Sequence, residues 1–112
     1  KYSPTILKSL LRQYKKANLS ITVITIQELF AGRSTMVSIN RELITKSLSG
    51  IKIFNLTPSL ARLAGELMRD STNNLKFADA SIAATAIHYD AHLATLNTKD
   101  FVGIPRLHLL TL

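Results

Sequence analysis

Three carboxylates stand out in a chain that has few of them. Glu28 lies in Ile24-Thr25-Ile26-Gln27-Glu28-Leu29, Asp79 in Phe77-Ala78-Asp79-Ala80, and Asp100 in Thr95-Leu96-Asn97-Thr98-Lys99-Asp100-Phe101. The chain has 7 acidic residues against 14 basic ones, a formal net charge of +7. Acids held at chosen points of a basic protein suggest a divalent-metal site that faces a polyanion. Mg²⁺ or Mn²⁺ suits an all-oxygen ligand set completed by waters. Such an ion would activate water and neutralise charge building on a phosphoryl group.

Each acid also has a structural reading. Thr25 and Glu28 fit the two halves of a capping box that opens a helix, with Thr25 as the cap. Asp79 fits the first turn of a helix, where its charge complements the helix dipole. Asp100 can close a turn before Phe101, and Asn97 can orient a water or close the same turn. His88 and His92 are four apart, but Tyr89-Asp90 reads as a helix end between them, so a shared metal is not expected. No Gly-rich phosphate loop, nucleophile elbow or Ser-His-Asp arrangement is present.

The elements that would position these acids follow from periodicity. Ser3-Pro4 reads as a cap with proline at the first helical position, followed by the stripe Ile6, Leu7, Leu10, Leu11 and Tyr14. Residues 21–24 are β-branched throughout and predict a strand. A short helix follows, ending near Gly32, and a longer one covers 37–48, broken by Gly50. Residues 51–56 read as a second strand. Thr57-Pro58 opens another helix with Leu60, Leu63, Ala64, Leu67 and Met68 facing inward, and residues 71–74 form a loop. An Ala-rich helix spans 79–89, a third strand 92–96 and a fourth 107–112. Alternating helices and strands predict an α/β fold with a mostly parallel sheet.

In such a sheet the ligand crevice lies beyond the carboxyl ends of the strands. The helix from Asp79 descends about eleven residues, roughly 16 Å. The next strand climbs back about five residues, again roughly 16 Å. The chain therefore regains the level of Asp79 as it reaches Asn97 and Asp100. Glu28 follows the end of the first strand, so all three acids are expected on one edge. Clustered carboxylates repel, and a cation is the natural compensation.

At 112 residues the chain is expected to form one domain, 1–112. It has no Cys, which excludes a disulfide scaffold, a zinc-thiolate site and a Cys nucleophile, and fits a reducing cytoplasm. No apolar run reaches the length of a membrane span. The basic residues favour anionic partners, although Lys8, Arg12, Lys15 and Lys16 read first as a solvated helical face.

At these segments the chain resembles the PIN-domain family, and within it the VapC-type toxins of bacterial toxin–antitoxin pairs. The resemblance runs through Ile24 to Gly32, Ala78 to Ala86 and Leu93 to Phe101, with a closing strand after Arg106. It implies a three-layer PIN-like sandwich and a Mg²⁺- or Mn²⁺-dependent endoribonuclease acting on RNA, silenced by a cognate antitoxin and often dimeric. By similarity, Glu28, Asp79 and Asp100 would be the second, third and fourth acids of the site, with Thr25 and Asn97 supporting. Family members begin with an apolar central strand ending in an Asp-Thr-Asn-like segment that supplies the first acid. Nothing before Ser3 matches it. The expectation is an N-terminally incomplete PIN-like chain, and the alternative is an inactive remnant that only associates with antitoxin or with itself.

Overall fold

The structure, a computed structural model, describes residues 4–110, with side chains from Ile6 onward. Ser3, the expected cap of the first helix, lies outside the described residues, as do Thr111 and Leu112 at the end of the expected last strand. The chain divides into two compact units, one ending at Phe54 and the other starting at Asn55.

The first unit runs α1 (Pro4–Gln13), a 3₁₀ turn (Lys16–Asn18), β1 (Ser20–Thr22), α2 (Val23–Ala31), a second 3₁₀ turn (Arg33–Met36), α3 (Ser38–Leu48) and β2 (Lys52–Phe54). β1 and β2 pair in parallel, with Ser20 opposite Lys52 and Thr22 opposite Phe54. Leu7, Ile21, Leu29, Ile44 and Ile51 form its core, lined by Leu11, Leu19, Ile26 and Leu48. Gly50 turns the chain from α3 into β2 at φ +86°, a left-handed conformation that costs glycine nothing.

The β-branched run at 21–24 does not stay extended. The strand stops at Thr22, and Val23 opens α2. Thr22 is the cap: its Oγ1 accepts the N–H of Thr25 at 3.0 Å. Val23 and Ile24 occupy the first helical turn, where no preceding turn crowds a branched side chain, so their strand propensity loses to the cap. The expected capping box is therefore corrected. Thr25 lies inside the helix, buried, and Glu28 is mid-helix rather than a reciprocal cap.

The second unit runs α4 (Pro58–Asp70), α5 (Phe77–His88), β3 (His92–Ala94), a 3₁₀ turn (Thr98–Asp100) and β4 (His108–Leu110). Thr57 caps α4 as expected, accepting the Leu60 N–H at 3.2 Å, with Pro58 at the start of the helix. Leu60 and Ala64 are buried and Leu63 and Leu67 partly so, but Met68 is 39% exposed, past the edge of the inward stripe. α5 is enclosed on every side, with all residues from Ala80 to Ala86 buried. Its small side chains let α4 approach closely, and Ala64, Leu75, Ala80 and Ala84 form the core cluster. The two hydroxyls of this stretch are satisfied internally, Ser81 donating to the Phe77 carbonyl and Thr85 to that of Ser81. β3 and β4 are parallel, with His92 opposite His108. The expected parallel pairing is thus realised as two pairs, β1–β2 and β3–β4, each shorter than the sequence suggests.

Candidate functional site

In the second unit the site grows from the start of α5. The helix begins two residues earlier than its periodicity implies, so Asp79 falls in the first turn rather than at its head. Lys76, the cap residue, makes no side-chain cap bond, which leaves Asp79 as the acid that answers the positive end of the helix. The Asp79 side chain is half-buried. Burial pushes its carboxyl above the ordinary 3.8, the charge of Asp100 pushes the same way, and Lys76 opposes both.

Asp100 reaches this position through a tightly bonded segment. Thr95 Oγ1 accepts the Asn97 N–H at 3.0 Å, and the Asn97 carbonyl accepts the Asp100 N–H at 3.0 Å. Phe101, 4% exposed, then anchors the turn from behind. Thr98 supports it by accepting the Phe101 N–H. Asp100 itself is exposed. The charge of Asp100 is felt at Asp79, which is what the return path of a helix followed by a strand anticipates.

Glu28 lies in α2 of the first unit, half-buried, one helical turn beyond buried Thr25. Among the described residues, no three Asp, Glu or His side chains form a group able to hold a metal ion. His88 ends α5 and His92 begins β3, so they do not share a helical face. The Asp79–Asp100 pair offers only oxygen donors, and its mutual repulsion is what a hard divalent cation relieves. An all-oxygen donor set of this kind suits a hard cation rather than a softer metal.

Two supporting residues escaped the sequence reading. Thr22 sets where α2 begins, and its signal was a threonine three residues before another helical N–H donor. Thr95 fixes the entry to the Asp100 turn through a local hydroxyl bond that strand patterning does not show. No helix of the described residues is long and apolar enough to cross a membrane.

Comparison with known proteins places this geometry in a family. The chain is 36% identical over 90 residues to "Ribonuclease VapC10" of Mycobacterium tuberculosis, covering 78% of this chain and 65% of that protein. It thus spans less than two thirds of the length of these curated relatives. "Ribonuclease VapC" of Rickettsia bellii is 61% identical over 33 residues, 30% of this chain and 25% of that one. Among solved structures, a toxin–antitoxin complex from Klebsiella pneumoniae superposes with TM-score 0.72 at 28% identity, over 96% of this chain and 92% of that chain. VapBC2 from Rickettsia felis, bound to a DNA fragment of its promoter, superposes with TM-score 0.74 at 23% identity, over 96% and 94%, and supports the fold. The PIN domain model matches residues 4–107, nearly the whole chain across both units, and the chain belongs to the PIN domain family.

Proposed function

We propose that this protein is a metal-dependent endoribonuclease toxin of the VapBC kind, hydrolysing RNA phosphodiester bonds in the cytoplasm under the control of an antitoxin. The observation that carries the reading is the match of the PIN domain model to residues 4–107, with Asp79 in the first turn of α5 feeling the charge of Asp100. Ribonuclease relatives and a toxin–antitoxin complex of similar fold support it. Asp79 and Asp100 are the residues that would hold Mg²⁺ or Mn²⁺. When bound, the ion supplies an activated water and a counter-charge for the phosphoryl oxygens.

The protein's own groups do the rest. Asp79 and Asp100 present oxygen donors on a helix turn and a bonded 3₁₀ turn, so little ordering is left to the moment of reaction. Glu28 acts as a further acid of the reaction, and Thr25 and Asn97 support, the roles that the family resemblance implies for them. Residues 1–112 act as a single domain, a reading supported by one family model running through both units.

RNA cleavage with Mg²⁺ or Mn²⁺, stopped by EDTA, tests the reading. Asp79→Asn should abolish cleavage with an unchanged circular dichroism spectrum, because it removes charge at nearly constant shape. Cleavage that survives EDTA would sink the proposal.

A second reading is an inactive chain that serves in antitoxin or self association. The run Met36, Val37, Ile39 and Leu43 favours it, exposed at 74%, 53%, 61% and 58% on the second 3₁₀ turn and α3. Exposed apolar side chains gathered on one short stretch are a feature that docking would cover. Absence of cleavage with either metal, together with antitoxin binding, would select this reading.

A further inference from the structure

The first unit has a second feature that the acids do not explain. The carboxyl end of α1, the 3₁₀ turn after it and the last turns of α3 border a shallow, open groove of about 640 Å³. Arg12, Lys15, Lys16 and Lys46 line it, together with Tyr14 and Ser47. Both α1 and α3 lead into the amino ends of their strands, β1 and β2. The groove therefore lies at the amino edge of that pair, whereas α2, which carries Glu28, starts from the carboxyl edge.

Four cations around one hollow need a reason. One is accounted for: Lys16 Nζ donates to the Ser49 carbonyl at 2.6 Å and to that of Lys46 at 3.4 Å, closing the end of α3. Two helix C-termini contribute about half a negative charge each, roughly one in total. That leaves about three positive charges uncompensated. Among the described residues no carboxylate pairs with Arg12, Lys15 or Lys46, and all three are exposed. Nine of the fourteen basic residues fall in residues 1–54, against two acids, Glu28 and Glu42, so the surroundings reinforce the field.

We propose that this groove binds the sugar-phosphate backbone of single-stranded RNA. Arg12, Lys15 and Lys46 take phosphates, and Tyr14, 38% exposed, offers a face on which a base can stack. Spread cations beside an exposed aromatic suit a nucleic-acid strand better than an acidic peptide, which would need apolar anchors that the groove provides only through Leu11. The identity of the polyanion as RNA rests on the ribonuclease reading; the groove does not.

Fluorescence anisotropy with a labelled single-stranded RNA of about 12 nucleotides, in EDTA and at about 0.1 M salt, tests the proposal. The full chain is compared with Arg12→Glu/Lys15→Glu/Lys46→Glu, leaving Lys16 in its structural role. A second triple, Lys8→Glu/Arg33→Glu/Lys52→Glu, matches the change in net charge elsewhere on the unit. The groove triple should weaken binding at least about tenfold more than the matched triple. It should also flatten the salt dependence by about 2 in log–log slope, as three lost phosphate contacts require. Tyr14→Ala should cost about fivefold or more on RNA and nothing on inorganic polyphosphate.

Equal losses in the two triples would reduce the effect to net charge and overturn the proposal. So would a groove triple that keeps RNA affinity but loses a poly-glutamate peptide of similar length. Binding is read in EDTA, where the proposed cleavage does not run, so a failure of the cleavage reading and a failure of the groove are told apart.

Discussion

The two units divide the molecule's chemistry unevenly. Residues 1–54 hold nine basic and two acidic side chains, and residues 55–112 hold five of each. The whole net charge of +7 thus belongs to the first unit. Its core is built of Leu and Ile on several short elements, and it exposes both a basic groove and the apolar side of α3. The second unit is neutral, is organised around a helix buried on all sides, and pairs Arg62 with Glu66 and Arg69 with Asp70. Acids proposed for chemistry, such as Asp79, need a rigid support, and a dense alanine core is one. Attracting a polyanion needs an uncompensated surface field, which a neutral unit cannot supply.

The largest expected effect breaks the comparison at its catalytic end. Asp79→Asn should lower RNA cleavage by about 10²-fold or more, while a charge-neutralising change of equal size in the first unit, such as Arg33→Gln, leaves the chemical step unchanged. Single-turnover rates at saturating RNA measure this, since binding no longer contributes.

Core truncation sharpens the question of whether the units are one folding domain. Leu60→Ala in the second unit and Leu29→Ala in the first remove side chains that are 1% and 3% exposed. Each should cost about 2–5 kcal/mol. With residues 1–112 acting as one domain, either change lowers a single cooperative melting transition by calorimetry. Two transitions, each answering only to its own mutation, would make the units independent.

The helix caps give a smaller, matched pair. Thr22→Ala and Thr57→Ala each remove the hydroxyl that accepts a helix N–H, at 3.0 and 3.2 Å, and should each cost about 1 kcal/mol in urea unfolding. Thr22→Ser should retain most of the stability in the first unit. A negligible loss for Thr22→Ala would return the cap to Thr25.

The smallest effect is a pH dependence confined to the second unit. The Asp79 carboxyl is held above 3.8 by burial first and by Asp100 next, so the native state keeps this proton where the unfolded chain has lost it. Stability contributed by this group therefore falls as pH rises through that window. Asp79→Asn escapes the penalty and should melt above the parent at neutral pH, with the difference disappearing below about pH 4, where both states are protonated. The same variant thus loses activity and gains stability, the mark of a residue placed for chemistry rather than for folding.

Most of the second unit was legible in the chain. Thr57-Pro58 starts α4 by a cap and a preset φ, both local, and the Ala-rich run after Asp79 can only be a helix enclosed by neighbours. The fixed rises per residue of a helix and a returning strand also account for Asp79 feeling the charge of Asp100. The beginning of α2 was not legible. Residues 21–24 carry strand propensity, and the Thr22 cap prevails over it together with the packing of Ile21 and Leu29 into one core, which fixes which residues face inward. The charge asymmetry was present in the sequence as a count, but not as a site. Arg12 and Lys46 are 34 positions apart in the chain, and only the meeting of two helix ends, closed by Lys16 on the Ser49 carbonyl, put them around one groove. Local interactions are written in neighbouring residues and can be read there; a surface shared by distant segments exists only once hydrophobic burial has chosen how those segments pack.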